Sequence, residues 1–267
     1  MGAGARFETR TALITGAGGD IGRATAIRLA EEGASVVLAD IGESVHATAE
    51  ACSVANDAVT PRVVRFDVTL EDEVRRAFDE LASAGVVVDL LFNNAGYQGA
   101  FDNVVDYEVA DFRRVLDINV AGVFLVLRHF ARALIAAGRP GAAVNTASMA
   151  HGGAPNMVAY SASKAAVIAL SKVAAKDLAH AAIRVNSVSP AFIGPGSMWD
   201  RQVELQANVV SQYYADDPDQ VAAQMIGAVP LRRYGSLDEV ASAVLFLLSE
   251  ESSYVTGFNL EVSGGAV

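Results

Sequence analysis

Short apolar runs alternate with longer helix-periodic stretches along the 267-residue chain, and this alternation constrains the fold more than any other feature. Strand-like runs fall at Thr11–Thr15 and at 35–40, 62–67, 89–93, 142–147, 183–189 and 258–262. Helical patterns occupy 21–32, 71–84, 111–137, 158–180 and 237–249. Strands that alternate with helices build a parallel sheet wrapped by those helices. Val36-Val37-Leu38 and Leu90-Leu91-Phe92 are apolar at consecutive positions, so their strands are expected to be covered on both faces. The expectation is one α/β domain over residues 1–267, a doubly wound parallel sheet of seven strands. One stretch breaks the rhythm. Residues 192–230 are long, mixed and rich in Pro, Gly, Trp and Tyr, and read as an insertion covering a substrate.

Composition removes several classes. At 52% hydrophobic and 19% charged residues the chain is too apolar to be disordered. A net charge of −11 argues against nucleic acid or an anionic membrane as partner. The best apolar run, 120–127, stops at Arg128 and His129, short of the roughly 18 residues of a membrane helix. Arg6, Glu8 and Arg10 surround Phe7 without the apolar core of a secretion signal, so cytoplasmic residence is expected. The lone cysteine, Cys52, allows no internal disulfide and reads as a half-buried helix residue. His46, His129 and His180 lack ligand spacing, and no metal site is expected.

Thr15-Gly16-Ala17-Gly18-Gly19-Asp20-Ile21-Gly22 follows the first strand and opens the first helix. Glycines there let the backbone turn tightly and approach a pyrophosphate, whose charge the free N–H groups and the helix dipole meet. A carboxylate, Asp40, stands 18 residues past Gly22 at the end of the second strand. It can accept both ribose hydroxyls of an adenosine, while Ile41 and Gly42 offer no cation for a 2′-phosphate. The pattern is that expected of a Rossmann-type site, with NAD preferred over NADP. Asp67-Val68 ends the third strand and would pin an adenine, cap a helix, or do both. Asn94-Ala95-Gly96 ends the fourth strand with residues small enough for a flat cofactor to pass closely.

Tyr160 and Lys164 stand four apart, on one face of a helix. A free phenol is too weak an acid to serve as a base at neutral pH, but a neighbouring ammonium and a positive nicotinamide ring both favour phenolate. Tyr160 would then take a hydroxyl proton in oxidation and return it in reduction.

Together these motifs resemble the short-chain dehydrogenase/reductase family. The resemblance spans essentially the whole chain and rests on the turn Thr15–Gly22 with Asp67, Asn94-Ala95-Gly96, Asn119, Ser148, Tyr160, Lys164 and Pro190 in the family's order. It implies that Tyr160 is the acid/base and that Ser148 hydrogen-bonds the substrate oxygen. Lys164 would lower the tyrosine pKa and bind the nicotinamide ribose. Asn119 would hold a water in a proton relay from Lys164, with Pro190 and Ile193 beside the carboxamide. The segment Thr256-Gly257-Phe258-Asn259-Leu260 resembles members that assemble as tetramers, so a homotetramer is expected. The last strand and the helix at 237–248 are candidate interface elements, or else internal core.

Three positions depart from the family. Asp20 replaces the usual Gly or Ala in the phosphate turn, where an N-terminal helix cap would make its charge tolerable. Ser148 and Tyr160 are 12 apart, one residue fewer than is common, so the intervening loop should be tight. Pro190-Ala191 replaces the more frequent Pro-Gly.

For the substrate, His151 either lines the pocket or hydrogen-bonds within its loop, and Gln98 with Tyr97 reaches the rim. Met198, Trp199, Tyr213 and Tyr214 close over substrate or pack the insertion. No arginine clamp is evident unless Arg201 swings inward, which suits a neutral secondary alcohol, polyol or sugar. No Gly-x-Ser-x-Gly elbow surrounds Ser148, so a hydrolase is set aside. The expected activity is an NAD-dependent alcohol dehydrogenase or ketone reductase. Two alternatives are a binding protein that senses the NAD redox state and a non-redox lyase or epimerase that retains NAD.

Overall fold

A computed structural model describes residues 6–266; residues 1–5 and 267, the ends of the expected domain, lie outside the described residues. The first half of the chain runs β1 (Thr11–Thr15), α1 (Asp20–Glu31), β2 (Ser35–Ala39), α2 (Ser44–Ala55), β3 (Arg62–Val64), α3 (Glu71–Ser83), β4 (Leu90–Asn93) and α4 (Val109–Leu116). A π-helical turn, Asp117–Gly122, joins α4 to α5 (Val123–Ala137). The second half runs β5 (Gly141–Thr146), α6 (Val158–Leu178), β6 (Ile183–Pro190), α7 (Ser197–Ala207), α8 (Pro218–Ala228), α9 (Leu237–Leu248) and β7 (Asn259–Val262). Among the described residues the strands form one parallel sheet in the order β3-β2-β1-β4-β5-β6-β7.

Strand side chains alternate between the two faces of the sheet. Ala12 and Ile14 of β1 enter a core with α1, α2 and α9, through residues such as Leu29, Val45 and Leu245. Leu13 between them enters the opposite core with α3, α5 and α6, through Phe78, Phe130 and Ala175. This two-sided burial is what the unbroken apolar runs demand.

At the C-terminal tips the strands turn polar, and the polar groups pair across the sheet. Thr15 Oγ1 donates to Asn93 Oδ1 at 3.3 Å, Asn93 Nδ2 donates to Asn145 Oδ1 at 3.2 Å and to Val123 O at 2.9 Å, and Asn145 Nδ2 donates to Ser171 Oγ at 2.9 Å. All four side chains are buried. The row therefore ties the tips of β1, β4 and β5 to α6.

Most elements lie where the pattern places them. The third strand stops at Val64, short of 67, because Asp67 turns the chain by accepting from Thr69 N and Oγ1 at 2.8 and 2.7 Å. The stretch 111–137 is interrupted by the π-turn, and 192–230 contains two helices, α7 and α8. These pack a small core of their own from Trp199, Val203, Ala207, Val221 and Met225. One expectation needs correction: the helical stretches Val109–Ala137 and Val158–Ala181 are, by length and composition, apolar enough to cross a membrane. Both are layer helices that turn apolar faces, such as Val126, Phe130 and Ala175, onto the sheet, which accounts for their composition.

Asn93→Ala leaves Asn145, Thr15 and the Val123 carbonyl each short of a buried partner. At about 1–3 kcal/mol per orphaned group, a loss of at least about 3 kcal/mol is expected, read from urea unfolding. A midpoint equal to wild type would show the row to be dispensable.

Candidate active site

A cleft of about 1380 Å³ opens at the C-terminal tips of the strands, with β1 and β4 at its centre. That is where the strand order reverses, and where open α/β sheets bind ligands. It is lined by Gly16, Gly18, Asp20, Ile21, Asp40, Ile41, Asp67, Val68, Asn94, Ala95 and Gly96, and by Ser148, Tyr160, Lys164, Pro190 and Ile193. Gly22 and Asn119 are buried just behind this wall.

The glycine turn is locked to the turn after β4. Gly16 has φ +64°, and a Cβ on it would meet Ala95 Cα at 2.9 Å. Thr15 Oγ1 accepts from Asn94 N at 2.9 Å and Ala95 N at 3.0 Å, and Asn94 Nδ2 donates to Thr15 O at 3.2 Å. Asp40 is held at the mouth by two amides, Gly18 N on Oδ2 at 2.8 Å and Gly42 N on Oδ1 at 2.9 Å. Each carboxylate oxygen keeps a lone pair for a ribose hydroxyl. The glycine cradle, the acceptor and the cleft suit a dinucleotide. Ile41 is largely exposed, and its carbonyl accepts from Arg65 at 2.8 Å, while the same guanidinium pairs with Glu43.

Two cofactor-side expectations change. Asp20 does not cap α1, whose N-cap Gly19 has no side-chain partner. Its Oδ2 instead accepts from Ser197 N and Ser197 Oγ, both at 2.9 Å, and so caps α7 from across the cleft. The charge is accommodated because it meets an N–H at the positive end of a helix. Asp67 does not cap α3 either, since Leu70 is the N-cap; its side chain holds the turn through Thr69.

At the reacting end, Ser148 starts a 3-10 turn, Met149–Gly152, and its Oγ accepts from Ala150 N at 3.2 Å and donates to Pro190 O at 3.4 Å. The short loop to Tyr160 is tight, with Gly153 at φ +102° and Asn156 at φ +64°. Burial pushes the Tyr160 phenol up to about 12, with Ser148 pulling the other way. Burial also draws the Lys164 amine down to about 8. Lys164 Nζ lies 5.4 Å from the centre of the Tyr160 ring and donates to Thr146 O at 2.7 Å. The expected lowering of the phenol by Lys164 is thus not met by the protein groups alone: burial dominates, and the opposing pull comes from Ser148.

Asn119, in the π-turn, is fully buried. Its Oδ1 accepts from Tyr97 N at 2.8 Å, and its Nδ2 donates to Tyr97 O at 2.8 Å and Ser163 Oγ at 3.0 Å. A Cβ on Gly96 would stand 3.3 Å from Asn119 Oδ1 and 3.5 Å from Lys164 Nζ. The Asn119 amide therefore braces the backbone that separates it from Lys164.

Among the substrate candidates, Gln98 and Met198 line the cleft. Trp199 touches it but packs mainly on Phe192 and Tyr234, with ring centres 6.0 and 5.6 Å away. His151 is not among the lining residues; its Nε2 faces Glu261 of β7 at 3.9 Å, which corrects its place in the pocket. Tyr214 lines the cleft and Tyr213 does not. Arg201 is held outside by Gly99 O, whereas Arg113 and Arg114 line the cleft, Arg114 lying 4.7 Å above the Tyr97 ring. The sequence reading missed these two; their position at the end of α4, before a π-turn, carries no spacing signal. It also missed Gln202 and Gln206, whose i, i+4 spacing on a helix within 192–230 would have shown them.

The family described as enoyl-(acyl carrier protein) reductase matches residues 16–267. The chain is 35% identical to levodione reductase of Leifsonia aquatica, over 97% of this chain and 95% of that protein. It is 33% identical to cyclohexanol dehydrogenase of an Acinetobacter species, again over 97% and 95%. The crystal structure of NAD+-bound xylitol dehydrogenase superposes with a TM-score of 0.94 at 50% identity, covering 97% of this chain and 99% of that one.

Asp20→Ala should free the first turn of α7 without touching the sheet. Amide exchange there is expected to quicken about fivefold to tenfold, as the loss of a cap worth about 1 kcal/mol implies, with the unfolding midpoint unchanged. Unaltered exchange would show the tie to be idle.

Proposed function

As the chain belongs to the short-chain dehydrogenase/reductase family, we propose that it interconverts a neutral secondary alcohol, polyol or sugar and its ketone, with Tyr160 as acid/base. It is an NAD-dependent oxidoreductase acting on CH–OH groups. The observation that carries the mechanistic reading is that Tyr160, Ser148 and Lys164 share one cleft with the glycine turn and Asp40.

Gly16, Gly18, Asp40, Asn94, Ala95 and Gly96 would hold NAD, which supplies the hydride acceptor or donor when bound. In oxidation the carbinol C–H bond breaks with its electron pair leaving as hydride, and the O–H proton passes to Tyr160 Oη; reduction reverses both movements. Ser148 Oγ hydrogen-bonds the same oxygen and steadies the charge that develops there. Below about pH 8 Lys164 carries its proton, and its positive charge beside the ring favours phenolate. Asn119 serves the relay by holding the Tyr97 backbone and, through Ser163, helix α6.

A homotetramer is supported by apolar side chains left open on layer helices: Phe124 and Ile135 of α5, Val173 of α6 and Phe246 of α9. The rest of α9 is mostly internal core, and β7 is the half-open edge of the sheet.

Tyr160→Phe should lower NADH formation from secondary alcohols at least about a thousandfold, in line with the loss of a positioned acid/base, while NAD still binds. A variant as fast as wild type would remove Tyr160 from the chemistry. Asp40→Ala should shift the ratio of NADP to NAD efficiency upward by about tenfold or more, as loss of one repulsive charge and one ribose acceptor predicts. An unchanged ratio would count against the ribose assignment.

A further inference from the structure

Met198, Gln202 and Gln206 follow one another at four-residue spacing on α7, and all three line the cleft. Gln206 is fully engaged: Asn156 Nδ2 donates to its Oε1 at 2.8 Å, and its Nε2 donates to Pro155 O at 3.1 Å. Gln202 meets Gln98, whose Nε2 donates to Gln202 Oε1 over a loose 3.5 Å. The other end of Gln98 is different. Its Oε1 is buried and has no hydrogen-bond partner among the described residues, in a residue only 7% exposed that lines the same cleft as Tyr160 and Ser148.

The loop that carries Gln98 is pinned on both sides. Tyr97 N donates to Asn119 Oδ1 at 2.8 Å, and Ala100 N donates to Asp111 Oδ2 at 2.7 Å. Gln98 is thus held in place with an acceptor turned toward no protein donor, a cost that folded chains rarely keep. The oxygen is covered in this rotamer, so a ligand donor meets it once the amide turns toward the cleft, and that pairing removes the cost. An ionised carboxylate or phosphate has no hydrogen to give, and a methylene has none either. A hydroxyl donates to Oε1 and still accepts from an amide N–H, so it suits both ends of a paired amide.

We propose that Gln98, with Gln202 closing over it from α7, is a specificity-determining residue that binds a second, non-reacting hydroxyl of the substrate. The substrate class is then a polyhydroxylated neutral alcohol rather than a monohydroxy alicyclic one. This rests on the oxidoreductase reading above and narrows its substrate. Asp20 contributes by fastening the start of the helix that carries Gln202.

The test compares two alcohols that differ by one hydroxyl, butane-2,3-diol and butan-2-ol, with saturating NAD and NADH formation as the readout. Wild type should favour the diol in kcat/KM. Gln98→Leu, which keeps the side-chain volume, should reduce that preference about tenfold to a hundredfold, the usual range for one buried hydrogen bond. Its kcat/KM for butan-2-ol should stay within about threefold of wild type. Gln202→Leu should show the same effect more weakly, and Gln98→Glu, which keeps an acceptor, should retain more preference than Gln98→Leu. Equal losses on both alcohols would mark Gln98 as structural and overturn the proposal, as would a preference that survives Gln98→Leu. Both results leave the oxidoreductase reading standing. NADH formed from neither alcohol nor from xylitol or cyclohexanol by wild type would overturn that reading and the proposal together.

Discussion

The buried row Thr15, Asn93, Asn145 and Ser171 is the constraint on which the site depends. It sits where three strands end, and it converts strand register into the placement of turns. Thr15 passes the constraint to the amides of Asn94 and Ala95, and these set how close the two turns lie. Ser171 passes it to α6, seven residues beyond Lys164 and on the same helical face. The hydrogen bonds that close the sheet at its tips therefore also fix the distance between the glycine turn and the Tyr160 phenol.

Around that frame the protein keeps ionisable groups in uncomfortable surroundings. Tyr160 and Lys164 are both buried, and burial opposes the charged form of each. Stability does not call for either position, and buried ionisable groups of this kind gather where a protein does chemistry. Asp20 shows the opposite strategy. A carboxylate placed where glycine is usual finds the amide and hydroxyl of Ser197 at the start of another helix, so its charge binds one wall of the cleft to the other.

Much of what depends on local periodicity was legible in the sequence, although the weakly amphipathic α2 was not among the helical patterns. Val36-Val37-Leu38 announces a strand covered on both sides, and Tyr160 with Lys164 announces one helical face. The glycine turn, Asp40 and the small residues after β4 likewise fall on the cleft wall. What escaped depends on contacts between distant segments. Asp20 looks like a local cap until Ser197, far along the chain, is placed beside it. His151 is close to Ser148 in sequence, yet a 3-10 turn directs it to Glu261. The π-turn at Asp117–Gly122 leaves no mark in an otherwise continuous helical pattern.

The segment bearing α7 and α8 encloses its own apolar cluster, built on Trp199, Val203, Val221 and Met225. Such a unit can loosen or re-form without disturbing the packing beneath the strands, because few side chains are shared between the two. The packing of the cap and the packing of the sheet are then carried by largely separate sets of residues. Sequence drift within that cap can reshape one wall of the cleft while the core beneath the strands is preserved.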